Sequence, residues 1–190
     1  MSLRRGFKTE ANAYAREMRR EQGLADHAPL CPWKLAEHLA IPILRISDLS
    51  DEIDATSLAY FSGIGSSTFS AVTVFKGPRR LIVHNDNHHL HRQAANIAHE
   101  LAHGLLGHPP APPLTDAGCR NFNRELEDEA NWLGPALLVS DEAAFHIARQ
   151  AIPIAQAIVM YGVSRELLSM RLQVSGANVR VARAKAKFGR

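Results

Sequence analysis

The residues His99-Glu100-Leu101-Ala102-His103 constrain this chain more than any other feature, because they lie inside a long stretch with helical periodicity. The segment Asn85-Asp86-Asn87 before it offers side chains that cap a helix N-terminus, and Gly107 ends the pattern. Apolar residues recur between these ends at intervals of three and four, the spacing of one helix face: Ala94, Ile97, Ala98, Leu101 and Leu105. The sequence therefore predicts a helix that places His99 and His103 on the same face.

Two histidines four residues apart on a helix can direct both imidazoles at one ion. Such a pair leaves a tetrahedral zinc site with room for a third protein ligand and for a water molecule. Glu100 is rotated by about 100° from His99 around the helix axis, which can place its carboxylate beside that water rather than on the metal. Zinc lowers the pKa of the water, and Glu100 can then accept its proton as a general base. The simpler interpretation is a pair of partly exposed surface histidines, which the well-patterned helix around them disfavours.

The third ligand must come from elsewhere in the chain. The position ten residues after His99, where the extended metzincin pattern has its third histidine, is Pro109, so the sequence excludes that class. His108 comes just before it, but the chain breaks into prolines at once. An acidic segment farther on supplies better candidates: Glu125-Leu126-Glu127-Asp128-Glu129-Ala130-Asn131. Glu127 is the favoured ligand, because Asn131 follows one turn later and could orient a histidine. The alternatives are Glu125, Glu129, or an acid-rich first helical turn that binds no metal.

The rest of the chain alternates between helical and short extended patterns. Helices are predicted over Thr9–Gln22, Trp33–Ala40, Phe122–Val139, Asp141–Gln150, Ile154–Tyr161 and Ser164–Val174. Short β-branched or aromatic runs separated by glycine-containing turns predict an antiparallel meander over Leu58–Ser62, Ser70–Phe75 and Arg80–His84. Pro135 is expected to kink its helix or to start a new segment. We expect an α+β fold, in which a small antiparallel sheet packs on the HExxH metal-binding helix, with flanking and C-terminal helices.

Composition and charge exclude several classes of protein. Lys and Arg total 22 against 19 Asp and Glu, so the net charge of +3 is too small to identify a nucleic-acid-binding protein by charge alone. No apolar run approaches the roughly 20 residues that cross a bilayer, and the basic N-terminus lacks the apolar stretch of a secretory signal. The two cysteines, Cys31 and Cys119, could form at most one disulfide. We expect a soluble cytoplasmic protein with reduced thiols and no membrane partner.

The central residues resemble the active-site helix of the ImmA/IrrE metallopeptidase family, over roughly Ala55 to Ser140. The resemblance is carried by Arg92-Gln93-Ala94-Ala95-Asn96-Ile97-Ala98-His99-Glu100-Leu101-Ala102-His103, by Leu105-Leu106-Gly107-His108, and by Glu127-Asp128-Glu129-Ala130-Asn131-Trp132-Leu133 before Leu137-Leu138. The family often has proline two residues after the leucine pair, where this chain has Ser140.

This resemblance implies a site and an activity. It makes His99, His103 and Glu127 the ligands of a Zn²⁺ ion and Glu100 the catalytic base. It implies a gluzincin-like zinc endopeptidase that hydrolyses a peptide bond in a specific cytoplasmic protein, and a transcriptional repressor is the substrate class we expect.

Other polar residues have weaker claims on function. His88, His89 and His91 come at the start of the metal helix and could contact substrate, although an exposed polar turn is the simpler interpretation. Tyr60 or Tyr161 could stabilise a tetrahedral intermediate. An edge strand of the small sheet could pair with an extended peptide substrate.

The C-terminal part of the chain suggests a second hypothesis. Residues Ile154 to Gly176 have the plan of a helix-turn-helix, although Ile158 stands where a DNA-reading motif usually has a small residue. Arg180–Arg190 has the composition of a loose basic tail. We predict a zinc metallopeptidase domain over 1–150, a C-terminal helical pair over 151–176 and a basic tail over 177–190. The alternative function is a regulatory module that binds DNA or a repressor and whose zinc site is structural or idle.

Overall fold

The computed structural model describes residues 3–77, 79–109 and 123–188. Its helices are α1 (Phe7–Glu21), α2 (Pro32–His38), α3 (Ala55–Ser62), α4 (Leu90–Leu105), α5 (Arg124–Leu138), α6 (Asp141–Arg149), α7 (Ile154–Tyr161), α8 (Arg165–Val174) and α9 (Ala177–Phe188), with short 3₁₀ turns at Ile46–Leu49 and Ile64–Ser67. The predicted helices agree with these bounds to within two residues where both ends are described. Helix α5 continues through Pro135 as one element, so of the two expected alternatives, a kink or a new segment, the new segment does not form. Phe122, its predicted start, and Cys119 lie outside the described residues.

A three-stranded sheet comprises β1 (Ile43–Arg45), β2 (Ala71–Lys76) and β3 (Arg79–His84), in the order β1-β3-β2. The predicted antiparallel pairing holds for β2 and β3, which join in a hairpin with Val72 opposite Val83. Strand β1 pairs with β3 in parallel and was not predicted, so the sheet is mixed. Its three residues are too few for a period-two pattern to be recognised in the sequence.

The strand predicted over Leu58–Ser62 is wrong, because these residues belong to α3. Asp54 caps this helix: its side chain accepts a hydrogen bond from the Ser57 backbone nitrogen at 2.9 Å. The short aromatic run from Leu58 to Ser62 has the composition of a strand, but the cap before it starts a helix. Helix α3 has no buried residue, so its sequence lacks the apolar stripe that would predict a helix.

Helices α4 and α5 form the centre of the molecule. Ile97 and Leu101 of α4 and Leu133 of α5 are fully buried, in one cluster with residues of α1, α2 and the sheet. Burying one such side chain contributes about 1.5–3 kcal/mol. Gly134 lets the two helices approach closely, because a β-carbon there would lie 3.1 Å from the backbone nitrogen of His99. This close contact fixes α5 against the turn of α4 that carries His99.

The C-terminal helices form a second apolar cluster with Ala98 of α4 and the end of α5. The helix-turn-helix plan is present as α7, a turn at Gly162 and α8, and Ile158 packs against this cluster. Leu168 and Leu172 of α8 are buried in it. The loose basic tail predicted from Arg180 is wrong as far as residue 188, because α9 continues to Phe188. Its apolar residues Ala177 and Val181 are buried, which ties the helix down.

Two buried arginines hold the junction between α5 and α6. Arg19 donates a hydrogen bond to the carbonyl oxygen of Leu138, and Arg171 donates one to that of Val139. Carbonyl groups at a helix C-terminus have no partner within the helix, so these cations satisfy them. Ser140 then starts α6, and its hydroxyl accepts a hydrogen bond from the backbone nitrogen of Ala143.

Within the described part of the chain, no helix combines the length and the apolar character that crossing a bilayer requires.

Candidate metal centre

The central helix α4 brings the first two predicted ligands together. His99 and His103 lie one turn apart, and their Nε2 atoms are 3.1 Å from each other. Both side chains are about one-fifth exposed, so they reach solvent and are not enclosed in the core. The stripe of buried residues on α4, which includes Ile97, Ala98 and Leu101, fixes the helix register and therefore the direction of both imidazoles.

Helix α5 places Glu127 beside this pair. One carboxylate oxygen, Oε2, is 3.4 Å from His99 Nε2, and the other, Oε1, is 3.6 Å from His103 Nε2. The three side chains form a group in which each offers one ligand atom and all of these atoms lie within 4.8 Å of one another. A tetrahedral metal with bonds of about 2.0–2.1 Å separates its ligand atoms by about 3.3 Å. The donor set and its spacing therefore fit a metal ion.

The two alternative acidic ligands are placed differently. Glu125 is exposed on the first turn of α5, and Glu129 is directed to His108 rather than to the histidine pair. Asn131, which was expected to orient a ligand histidine, is exposed and makes no hydrogen bond to a histidine among the described residues. That expectation is wrong, because another residue occupies the position beside His103.

That residue is His108, and the end of α4 explains its position. Gly107 has a φ of +65°, a left-handed conformation that glycine adopts without strain. The backbone nitrogen of Gly107 bonds to the Gly104 carbonyl, and that of His108 bonds to the His103 carbonyl. These two bonds define a Schellman motif, which brings together the side chains of the third-last helical residue and of the second residue after the cap. Here those residues are His103 and His108, whose Nδ1 atoms are 2.8 Å apart.

A chain of hydrogen bonds then leads from His103 to the N-terminal segment. His108 Nε2 is 3.3 Å from Glu129 Oε2, and Arg4 donates to the other oxygen of that carboxylate at 2.8 Å. The carboxylate requires the proton of His108 on Nε2, so His108 Nδ1 accepts from His103 Nδ1. Nε2 of His103 is then left with a free lone pair. The chain therefore selects the tautomer that can bind a metal through the nitrogen facing Glu127.

Burial, followed in size by the effect of the neighbouring His99, lowers the pKa of His103 well below its ordinary value. The imidazole is therefore neutral at pH 7. Neutral imidazole is the form that ligates a metal, so the site does not have to lose a proton from this ligand before binding.

The predicted base, Glu100, lies on the face of α4 that packs against the sheet. Thr73 of β2 donates a hydrogen bond from its hydroxyl to Glu100 Oε2 at 2.6 Å. Glu100 is partly exposed and takes no part in the group of three possible ligands. It adjoins His99 in the chain but projects to another side of the helix. The structure therefore gives Glu100 no ligand position.

The other histidines considered from the sequence have structural roles. His89 is the residue that caps α4, in place of the predicted Asn85-Asp86-Asn87: its Nδ1 accepts a hydrogen bond from the His91 backbone nitrogen. His88 Nε2 lies 2.8 Å from the Ser66 carbonyl oxygen and fastens the loop before α4 to the turn after α3.

The two tyrosines are placed unequally. The Tyr161 hydroxyl donates to the His27 carbonyl and its ring is buried in the C-terminal cluster. Tyr60 is half-exposed on α3 and contacts Phe61. Neither tyrosine has a contact with the candidate ligands among the described residues.

Comparison with known families identifies the protein family of this chain. The chain matches the peptidase M78 family, described as the IrrE N-terminal-like domain, over residues 37–173. The chain belongs to this family. The resemblance to ImmA/IrrE metallopeptidases predicted from the sequence is thus confirmed, and the M78 family implies a peptidase that uses a metal ion. No curated protein and no solved structure matches the chain.

The match includes α4 and α5 and therefore the group formed by His99, His103 and Glu127. It also extends through α7 and most of α8. The sequence suggests His108 and Glu129 only as possible ligands. It does not predict the role seen in the structure, in which they form a hydrogen-bonded chain to His103.

Proposed function

We propose that this M78 family member is a zinc-dependent endopeptidase with a narrow protein substrate. The observation that carries the proposal is the convergence of two imidazole nitrogens and one carboxylate on a single point. A further carboxylate, that of Glu100, follows His99 directly in the chain and is held by the sheet without joining the group. These are the donors and the adjacent acid–base group that hydrolysis of a peptide bond requires.

His99, His103 and Glu127 would hold the metal. Two nitrogen donors and one oxygen donor are a ligand set typical of catalytic zinc. When bound, zinc supplies a Lewis acid that polarises a peptide carbonyl and lowers the pKa of a water molecule.

Glu100 acts as the general base in this proposal. Thr73 engages its Oε2, so we assign Oε1 the task of accepting a proton from the attacking water. The same carboxyl group then donates that proton to the nitrogen of the departing amine. The hydrogen bond from Thr73 holds the carboxylate in one orientation and so reduces the reorganisation needed during the reaction.

The outer edge of β2 is our candidate for the substrate-binding strand. In the order β1-β3-β2 this edge pairs with no other strand among the residues that the structure describes. Thr73 on this strand contacts Glu100, so a peptide paired along β2 would pass the reacting groups. Main-chain hydrogen bonds would supply affinity there with little demand on the peptide's sequence.

A cytoplasmic transcriptional repressor is the substrate class we propose, because the ImmA/IrrE resemblance implies it. The competing proposal is a regulatory module that contacts DNA or a repressor through the C-terminal helices. Its support is the helix-turn-helix plan of α7 and α8. Against it stands the inward packing of Leu168 and Leu172.

Metal content tests the site itself. We expect near-stoichiometric zinc in the purified protein and a clear reduction in Glu127→Gln. Glu125→Gln, on the exposed side of the same helix, should retain the metal and serves as the matched control. Wild-type protein that stays free of zinc after zinc is supplied would refute the enzyme proposal.

Glu100→Gln tests the activity. This variant should keep its fold and its zinc, while cleavage of a candidate repressor should fall about 10²–10⁴-fold. If the variant retains the full biological effect of the wild type, the regulatory binding module is the better account.

A further inference from the structure

A groove of about 610 Å³ opens between the loop before β1, the β2–β3 hairpin and the C-terminal end of α4. Its lining is mostly apolar, and two cations, Arg79 and Arg80, lie among these side chains. The metal site and Glu100 do not account for this groove. The apolar lining includes Leu39, Ile41, Val74, Leu81 and Leu105.

The groove adjoins Glu100 along α4 and reaches the sheet face of Thr73 through Arg80. Gly104, which lines it, follows Glu100 by four residues and so lies on the same face of α4. Phe75 follows Thr73 by two residues and so lies on the same face of β2. Arg80 of β3 is directly opposite Phe75. Arg80, which lines the groove, therefore lies on the same sheet face as Thr73, and Gly104 lies one helical turn from Glu100.

The guanidinium of Arg80 packs between an aromatic ring and the backbone of α4. Its Cζ lies 5.5 Å from the centroid of the Phe75 ring. A β-carbon at position 104 would lie only 2.6 Å from Arg80 Nη1, so the guanidinium rests against the backbone of α4 where Gly104 provides the space. A side chain held in this way loses less conformational freedom when it binds a ligand.

Arg80 also lacks a negative partner in the described part of the chain. Other arginines there pair with carboxylates, for example Arg45 with Asp48 and Arg171 with Asp141. Arg80 is half-buried, faces an apolar groove and makes no such pair. A guanidinium presents parallel N–H donors that match a carboxylate in two hydrogen bonds.

We propose that Arg80 is a specificity-determining residue that binds an acidic side chain of the peptide substrate, with apolar neighbours of that side chain in the groove. This inference rests on the proposed endopeptidase function and names a feature of its substrate. An acidic side chain is the occupant because an endopeptidase substrate continues on both sides of the cleaved bond. A free C-terminal carboxylate offers the same chemistry and is a separate outcome of the test.

The test measures binding, so that it does not depend on cleavage. The probes are two pools of dodecapeptides with acetylated N-termini and amidated C-termini, identical except for a Glu or a Gln at one fixed position. Each pool is passed over immobilised, zinc-loaded Glu100→Gln protein, and the retained peptides are quantified by mass spectrometry. We expect about tenfold better retention of the Glu pool, the size of effect that a charge-assisted hydrogen bond provides.

Variants assign the effect to Arg80. Adding Arg80→Gln should abolish the preference for Glu, and Arg80→Lys should keep part of it. Arg180→Gln is the matched control, because Arg180 also lies over a phenylalanine ring, that of Phe145 at 4.9 Å, but on α9. Thermal unfolding of each variant checks that the fold is intact, and Arg80→Lys supports the assignment if Arg80→Gln unfolds.

The outcomes separate the two proposals. No Glu preference in the Glu100→Gln protein, or an equal preference after Arg80→Gln, overturns the role of Arg80. A third pool, with Gln at the fixed position and a free C-terminal carboxylate, overturns the side-chain assignment if it is the one retained. If Arg80 determines binding but the wild-type protein, at full zinc content, does not cleave the candidate repressors, the endopeptidase function fails while the carboxylate site stands.

Discussion

At the scale of single residues, His108 is a residue that would not bind the metal itself but would orient His103, a candidate ligand. We predict that His108→Ala lowers zinc affinity about 10–100-fold, because His103 loses the acceptor that fixes its tautomer. Competition with a chelator of known affinity measures the change. His146→Ala is the control. His146 lies in α6, stacks on His27 and has no contact with the candidate ligands among the described residues. Equal affinities for wild type and His108→Ala would contradict this role.

Sequence reasoning identifies the candidate ligands but not the residue that would orient them. The positions of His99, His103 and Glu100 follow from helical spacing, and Glu127 was chosen among three glutamates. His108 was weighed only as a ligand, because periodicity stops where the helix stops. A signal was present nonetheless: glycine at 107 predicts a Schellman motif, and that motif pairs His103 with His108.

At the scale of elements, the C-terminal end of α4 links backbone geometry to the site. We predict that Gly107→Ala costs about 1 kcal/mol of stability, because a β-carbon is unfavourable at its positive φ, and that it also weakens zinc binding by displacing His108. Urea unfolding and chelator competition measure the two effects.

Gly23→Ala is a matched control for that prediction. Gly23 has a φ of +69° and ends α1 with the same pair of hydrogen bonds. A β-carbon meets no atom within 4 Å at either glycine, so the two substitutions impose similar backbone strain. Gly23→Ala should lose similar stability and no zinc affinity; equal losses of zinc affinity in both variants would disprove the link to the site.

The elements that sequence reasoning missed or placed wrongly lack an apolar pattern strong enough to identify them from the sequence. Helix α3 lies on the surface, so its exposed residues carry no clear periodic pattern. Strand β1 is only three residues long and depends on a parallel partner distant in sequence. Helix α9 combines basic residues with a narrow buried stripe, and its composition resembles that of a tail. Tertiary contacts decide the structure of β1 and α9, and the Asp54 cap decides that of α3, whereas α4 and α5 carry patterns strong enough to read directly.

At the scale of the whole molecule, the two buried arginines join the apolar clusters at the end of α5. We predict that Arg171→Met lowers the free energy of unfolding by about 3 kcal/mol, since the Val139 carbonyl and Asp141 lose their partner. Urea denaturation measures this change. Arg165→Met, on the exposed side of α8, should change stability by less than about 0.5 kcal/mol. An equally small loss of unfolding free energy in both variants would show that the hydrogen bonds of Arg171 contribute little to stability.

Stability should also depend on pH through histidines away from the metal centre. Burial lowers the pKa of His84, His91 and His146 below the ordinary value of 6.5. At a pH between the folded and unfolded pKa values, the unfolded chain therefore binds more protons than the folded chain, and stability rises with pH there. In metal-free protein, the free energy of unfolding should be fully present above pH 6.5 and decline as the pH falls through 6.5.

His84 is the sharpest test of that dependence, because it is 2% exposed and its Nδ1 is buried without a hydrogen-bond partner. His84→Phe removes the titrating group and keeps an aromatic ring against Trp33. Unfolding in urea at a series of pH values, with a chelator present, should give a shallower decline for this variant than for wild type. Since burial opposes the charged form in the folded state alone, an unchanged slope would mean that His84 protonates equally in both states.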